Sequence, residues 1–152
     1  TIHTTAGWSV YKNWSKWQDV IDRFCTLGRT NYAIVQIGKE DKLLPGVIDM
    51  RNKLSVVECI QLIKKATLHL GIDSFSNHAT VLLPYTPSVI LWGSTHPGIF
   101  GYGHNTNLWK PLKCSPCNKI NGQEPCSLEP NKCINNITVD EVFNIILKKL
   151  GE

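Results

Sequence analysis

The stretch TLHLGIDSFSNHATVLL, residues 67–83, places an acidic residue, two hydroxyls, an amide and an imidazole between two apolar runs. We predict a strand over 67–72 and a short helix over 76–83, so the polar group follows the carboxyl end of a buried strand. Ligands of open parallel sheets bind outside the carboxyl ends of the strands. The stretch therefore predicts both a parallel sheet and the edge of that sheet where a ligand binds.

The same alternation continues on both sides of this stretch. The apolar patterns predict further strands over 1–5, 32–38, 47–49 and 88–93, and helices over 15–28, 55–66 and 138–149. Residues 94–137 hold little regular pattern. Strands that alternate with helices indicate an α/β protein, here a Rossmann-like parallel sheet flanked by helices.

The three longer predicted helices have a start signal of the same kind. Ser or Thr followed three residues later by Glu or Gln forms a capping box. The three pairs are Ser15 with Gln18, Ser55 with Glu58, and Thr138 with Glu141.

The length and the net charge of the chain limit the classes of function that it can have. The 152 residues suit one domain, 1–152, with a substantial core. The 16 basic and 12 acidic residues give a net charge of +4, which suits an anionic small ligand and is too small to argue for nucleic acid. No apolar run approaches the roughly 20 residues that span a bilayer. We expect a cytoplasmic protein, at most peripheral to the inner membrane.

Polar segments that carry glycine or hydroxyls follow the predicted strands. They cover residues 4–12, 38–41, 71–78 and 93–98. Each alone is typical of a turn, but their shared position after strands predicts a binding crevice.

Three segments carry a family resemblance: HTTAGWSVYKNW (3–14), GIDSFSNHA (71–79) and PSVILWGSTHP (87–97). In order and spacing they resemble the C-terminal half of the heptosyltransferases, GT-B enzymes of glycosyltransferase family 9. The resemblance covers residues 1–150. It implies a domain that binds a nucleotide sugar, and an N-terminal acceptor domain outside this chain. The chain begins inside a predicted strand, so we expect it to be one half of a longer protein.

The resemblance assigns roles within 71–79. It implies that Asp73, one of two predicted catalytic residues, lies beside the sugar, and that Ser74 and Ser76 supply hydroxyls on the phosphate side. His78 would reach the phosphate or the sugar. The residues themselves leave another interpretation open, because Asp73 and Ser74 are also common helix caps. His78 also fits an ordinary surface or core histidine.

The resemblance extends to other loops. It implies that Thr4 and Thr5 contact the phosphates, and that Lys12, the second predicted catalytic residue, offsets charge on the departing diphosphate. Glu40 would accept bonds from the ribose hydroxyls, although a solvated loop glutamate fits equally. Phe75 occupies a position where the family has Gly, so its ring alters the approach of the phosphate or points into the core.

The cysteines form two groups. Cys25 and Cys59 lie in helical patterns, where a buried reduced thiol is expected. The others crowd into a loop over 110–137, where C-x-x-C followed by two more thiols is typical of a metal finger holding Zn or Fe: Cys114, Cys117, Cys126 and Cys133. Two disulfides are the alternative, and they need an oxidising compartment. A heptosyltransferase subgroup that modifies autotransporter proteins has a similar finger, and this resemblance favours iron.

We therefore predict the donor-binding half of a glycosyltransferase that moves a heptose or similar sugar from a nucleoside-diphosphate sugar, of the ADP-heptose type, to an acceptor hydroxyl. The acceptor, a protein or saccharide, would bind the missing domain, which also carries the catalytic base, so we expect this half alone to be inactive. A homo-oligomer is a further expectation. The alternative is a Rossmann-like binding module without chemistry that docks a partner through its cysteine finger.

Overall fold

The N-terminal segment, residues 1–4, lies in the middle of a parallel sheet. The computed structural model describes residues 1–7, 9–28, 31–39, 42–118, 126, 129 and 131–152. Ile2 forms parallel bridges to both Gln36 and Leu70. Its backbone N–H donates to Val35 O at 2.9 Å, and the N–H of His3 donates to Leu70 O at 2.9 Å. The predicted strand over 1–5 thus contributes to the sheet, although regular pairing is limited to Ile2.

The remaining strands extend the sheet on both sides of this segment. They are β1 (Val35–Gln36), β2 (Ile48–Asp49), β3 (His69–Ile72), β4 (Ser88–Trp92) and β5 (Thr106–Trp109). All pairings among these strands and the N-terminal segment are parallel, and the order across the sheet is β2, β1, the N-terminal segment, β3, β4, β5. The α/β class with a parallel sheet flanked by helices is confirmed.

The helices connect and cover the strands. They are α1 (Trp17–Thr26), α2 (Val56–Lys65), α3 (Phe75–Ala79), α4 (Pro97–Phe100), α5 (Lys132–Asn135) and α6 (Val139–Lys149), with 3-10 turns at Val10–Lys12 and Thr80–Leu82. None of the helices among the described residues has the length and apolar character needed to cross a membrane.

Two of the three predicted capping boxes are confirmed. The Ser55 and Thr138 side chains accept from the backbone N–H groups of Glu58 and Glu141, whose carboxylates bond back. The box at Ser15 is wrong, because α1 begins two residues later, at Trp17. Ser15 instead donates from its hydroxyl and its backbone N–H to Asn135 Oδ1, so a tertiary contact displaces the local cap.

The stretch from 94 to 137 holds more regular structure than its sequence pattern indicates. It contains β5, α4 and α5. Strand β5 is only half-buried, and Asn107 lies within it. The Asn107 side chain accepts from Trp92 Nε1 at 2.9 Å and donates to Tyr102 O at 3.1 Å. Because Asn107 is polar and is used for these tertiary contacts, the sequence of β5 lacks the apolar pattern by which a strand is predicted.

Buried apolar residues form two clusters. The larger joins α1 and α6 to the sheet, and Trp14 and Trp17 are both 3% exposed within it. The smaller joins α2 and α3 to Ile37 of the sheet, and Met50 and Leu54 pack against it. Both clusters leave the carboxyl ends of the strands to polar side chains.

Candidate functional site

Asp73 lies at the centre of the carboxyl edge, directly after β3. Its carboxylate is buried, with 2% of the side chain exposed. Asp73 Oδ2 accepts from Lys12 Nζ at 2.7 Å and from Thr95 Oγ1 at 2.6 Å. The loops after the N-terminal segment, β3 and β4 therefore meet at one carboxylate. Neither contact is a helix cap, so the capping interpretation of Asp73 does not describe what its side chain does.

Thr95 is a member of this group that sequence reasoning did not single out. It is fully buried in the segment 93–98, which is one of the four polar loops predicted to form the binding crevice. The sequence indicates only that Thr95 follows a strand. Its hydrogen-bond partner, Asp73, lies 22 residues away along the chain, so the pairing cannot be read from neighbouring residues.

Ser74 and Ser76 both bond to a buried histidine. Ser74 Oγ lies 2.9 Å and Ser76 Oγ 3.0 Å from His3 Nδ1. Ser74 is the N-cap residue of α3, yet among the described residues its side chain makes no capping bond. Ser76 is fully buried, so it has no direct access to a ligand in this conformation. Of the two serines, only Ser74 is partly exposed.

Phe75 packs toward the interior. It contacts the smaller apolar cluster, and its ring meets that of His3 edge-on with centroids 6.4 Å apart. Of the two orientations considered from the sequence, the structure shows the one that points into the core.

His78 lies on the exposed side of α3. Its Nδ1 is 3.0 Å from the hydroxyl of Tyr102, and its Nε2 is 3.9 Å from Asp73 Oδ1. The side chain is 52% exposed, so it remains accessible to a ligand beside Asp73. The Tyr102 ring stacks on that of His104, with the ring centroids 5.9 Å apart, and extends this polar surface.

The other predicted contacts flank the same edge. Thr4 is buried, Thr5 is half-buried, and both interact within the protein. Glu40 lies outside the described residues. At the end of β2, Arg51 and Lys53 both form ion pairs with Asp49. The Arg51 guanidinium bonded to Asp49 lowers the pKa of that carboxyl to about 2.

The four clustered cysteines border one small cavity. It has a volume of about 10 Å³ and is also lined by Tyr11 and Ser94. All six cysteines of the chain are free thiols. Burial, followed by the neighbouring thiols, raises the pKa of Cys133. Across the described part of the chain, no three or more His, Cys, Asp or Glu side chains have an arrangement that could hold a metal ion.

Backbone contacts connect the cysteine loop to the strand ends. Ser115, between the first two cysteines, donates from Oγ to Gly93 O at 2.9 Å. The N–H of Asn118 donates to Ser94 O at 2.8 Å. A Cβ at Gly93 would lie 2.6 Å from Tyr11 O, so the chain beside Lys12 also packs against this glycine. The two loops that supply Lys12 and Thr95 thus both contact the cysteine region.

A larger cavity lies elsewhere. It has a volume of about 300 Å³ and opens at the amino ends of the strands, between Thr1, Phe24, Tyr32 and Leu68. Its walls are mainly apolar. The chemistry of the carboxyl edge, rather than cavity size, therefore identifies the candidate site.

Comparison with solved structures gives the fold a precedent. The E. coli H10407 glycosyltransferase TibC, described as iron-containing and dodecameric, matches with a TM-score of 0.81 and 19% identity, over 99% of this chain and 44% of TibC. A family 9 glycosyl transferase from Veillonella parvula matches with a TM-score of 0.70 and 19% identity, over 98% of this chain and 45% of its own. E. coli heptosyltransferase WaaC with ADP matches with 0.70 and 16% identity, over 97% and 43%.

The chain has the fold of the heptosyltransferases. It spans less than half the length of these enzymes, a share consistent with the predicted C-terminal half. A structure of TibC in complex with ADP-D-β-D-heptose has also been solved, and this chain matches it with a TM-score of 0.79. No protein-family model matches the chain, and no curated protein matches it by sequence.

Proposed function

We propose that this chain is the donor-binding half of a glycosyltransferase that uses a nucleoside-diphosphate heptose or a related sugar. The observation that carries the proposal is the convergence of Lys12 and Thr95 on buried Asp73 at the carboxyl edge of a heptosyltransferase-like sheet. TibC, which shares this fold, binds ADP-D-β-D-heptose. Structural networks also bury carboxylates, so the position at the strand ends is what favours a ligand site.

The groups present suit the departing end of such a donor. In glycosyl transfer the acceptor oxygen bonds to the anomeric carbon while the sugar–phosphate bond breaks, and the diphosphate leaves with the electron pair. A lysine ammonium has three N–H donors, and Asp73 accepts from one of them. Lys12 can therefore bond to a phosphate oxygen and offset its growing negative charge.

Asp73 has a different role in this proposal. Its carboxylate accepts bonds, which suits the hydroxyls of a sugar, while Lys12 and Thr95 fix its orientation. The acceptor proton leaves to a base that we assign to the other half of the enzyme. We accordingly propose that residues 1–152 bind the donor without completing the transfer. Transfer of sugar by these residues alone would contradict that assignment.

We propose further that Cys114, Cys117, Cys126 and Cys133 hold a structural Zn or Fe ion. Four free thiols line one small cavity, and thiolates are ligands that both metals accept. Because no three of them are arranged to hold an ion in the described structure, metal binding would have to draw them closer together. TibC is described as iron-containing. The bound ion would order the loop. Its role would be structural, since a closed set of four thiolates leaves no position for substrate. Through the contacts of Ser115 and Asn118, an ordered loop would also hold the backbone of residues 93 and 94 in place.

Calorimetric titration with ADP-, GDP- and UDP-sugars tests donor binding. We expect one of the three to bind, and Lys12→Ala and Asp73→Asn to weaken that binding at least tenfold, since each loses a charge-assisted bond. Lys64→Ala, an exposed lysine at the end of α2, is the matched control and should bind normally. Absence of binding for all three donors would refute the proposal.

A further inference from the structure

Ser94 lies just after β4, between the cysteine loop and the group at Asp73. Its backbone oxygen accepts from the N–H of Asn118 in the cysteine loop at 2.8 Å. The next residue, Thr95, donates to Asp73 Oδ2 at 2.6 Å. Ser94 also lines the small cavity that the four clustered cysteines border. It is therefore a residue of the cysteine cavity that directly precedes a residue of the candidate donor site.

The hydroxyl of Ser94 is a buried polar group without a partner. The residue is 1% exposed, and its Oγ has no hydrogen-bond partner in the part of the chain that the structure describes. Such groups are uncommon, because a buried hydroxyl without a bond destabilises the fold. Ser88 is equally buried, yet it donates to Thr86 O at 3.1 Å. Burial beside β4 therefore does not by itself deprive a serine of a partner.

The thiols that line the same cavity are the acceptors that Ser94 lacks. A neutral thiol is a weak acceptor, whereas metal binding requires thiolates, whose negative charge strengthens any hydrogen bond that they accept. Metal ligands commonly receive such bonds from an outer shell of protein donors. The four cysteines have the number and chemistry that Zn or Fe requires, and binding has to draw them together. A hydroxyl on the wall of the cavity then meets concentrated negative charge.

We propose that Ser94 is a positioning residue of the cysteine site, and that its hydroxyl donates to one of the thiolates when a metal ion is bound. The bond forms as the sulfurs draw together, which explains why the described arrangement leaves Oγ without a partner. It stabilises the charge of the thiolate and fastens the cysteine loop to the segment that carries Thr95. This inference rests on the proposed metal site and is independent of donor binding.

A buried water is the competing explanation for the unpartnered hydroxyl. Asn131 lines the same cavity, and its Oδ1 also has no hydrogen-bond partner among the described residues. The cavity volume of about 10 Å³ is close to the minimum that one water needs. A water between the two side chains would satisfy Ser94 with or without metal, whereas a thiolate does so only in the metal-bound protein. The two explanations therefore differ in what they predict for protein without metal.

The substitution Ser94→Ala tests the proposal. The probes are Zn²⁺ and Co²⁺, added to reduced protein, with the Zn²⁺ affinity measured by competition with a chelator. We expect Ser94→Ala to weaken the binding of each ion about tenfold, a typical loss when an outer-shell partner is removed. Without metal, the variant should unfold at the same urea concentration as the wild type or at a higher one, because the hydroxyl that it removes makes no bond there.

Ser88→Ala is the matched control. The Ser88 hydroxyl bonds to Thr86 O, so its removal should lower the urea midpoint with and without metal and leave the metal affinity unchanged. A Ser94→Ala variant that behaves in the same way overturns the inference, because a water-bonded hydroxyl gives that result.

The Co²⁺-loaded protein gives an independent readout. A hydrogen bond to a thiolate lowers the energy of the sulfur lone pairs, so charge transfer from sulfur to cobalt needs more energy. Ser94→Ala should therefore shift the charge-transfer absorption to longer wavelength, and Ser88→Ala should not. An unshifted absorption in Ser94→Ala overturns the inference alone. A wild-type protein that binds neither ion overturns the proposed metal site, and the inference with it.

Discussion

Lys12 Nζ lies 2.7 Å from Asp73 Oδ2, although 61 positions separate the two residues along the chain. Their side chains are 14% and 2% exposed, so the ion pair is largely removed from water. Removing one partner of a buried pair leaves the other charge uncompensated. The pair therefore contributes to the stability of the fold as well as to the candidate site.

Lys12→Ala should lower the free energy of unfolding by about 3 kcal/mol, because Asp73 then keeps only neutral donors. Urea denaturation at pH 7 measures the change. The double variant with Asp73→Asn should lose less than the sum of the two single variants, since the uncompensated charge is gone. Lys64→Ala should unfold like the wild type, and a Lys12→Ala variant that does the same would show that the pair contributes nothing.

His69 gives the protein a predictable sensitivity to acid. It is fully buried in β3, its Nδ1 lies 3.0 Å from Thr1 Oγ1, and its Nε2 has no hydrogen-bond partner among the described residues. Burial lowers the pKa of His69 well below its ordinary value of 6.5. In the unfolded chain the imidazole takes up a proton as the pH falls through that ordinary value, whereas the folded protein excludes it.

The contribution of His69 to stability is therefore complete above pH 6.5 and is lost progressively below it. The free energy of unfolding should fall by up to about 1.4 kcal/mol for each pH unit in that window. Urea denaturation between pH 7.5 and 5 should show this slope in the wild type and a shallower one in His69→Gln. An unchanged slope in His69→Gln would contradict the assignment.

The sequence predicted the features whose partners are close along the chain. The boxes at Ser55 and Thr138 depend on residues three positions away, and both form. The box at Ser15 fails because Asn135, 120 residues away, takes its hydroxyl. A helix cap can therefore be predicted from neighbouring residues when no distant group forms a hydrogen bond with the same atom.

The candidate site shows the same division. The strand-to-helix pattern placed Asp73 and Ser74 correctly at the carboxyl edge. The sequence did not reveal that Thr95 binds Asp73, or that His3 binds both serines, because such pairs arise only when separate strand ends meet. It also treated Ser76 as a ligand group, whereas the structure buries it against His3.

Metal content provides a further prediction. Protein purified under reducing conditions should contain about one Zn or Fe per chain, measured by elemental analysis. Cys114→Ser and Cys117→Ser should each remove most of it, because a structural site needs all four thiolates. Cys25→Ser is the matched control: contrary to the burial expected from its helical pattern, Cys25 is exposed on α1, and it lies outside the cavity. Metal-free wild-type protein, or a disulfide among the four found by mass spectrometry, would contradict the metal site.

Gly93 supports both the cysteine loop and the candidate site. A Cβ there would lie 2.6 Å from Tyr11 O and 3.2 Å from Ile134 Cβ, and the first of these atoms belongs to backbone that has little room to move. Gly93→Ala should therefore destabilise the protein by about 1–3 kcal/mol, the usual range for overpacking a close contact.

Because Tyr11 adjoins Lys12, the same substitution should also weaken nucleotide binding in protein that remains folded, measured by calorimetry below its melting temperature. Gly103→Ala is the control, since a Cβ at that position meets nothing within 4 Å. If Gly93→Ala lowers stability but leaves affinity intact, the contact with Tyr11 does not control the position of Lys12. If both fall together while Gly103→Ala is neutral, packing at the end of β4 sets the geometry around Asp73.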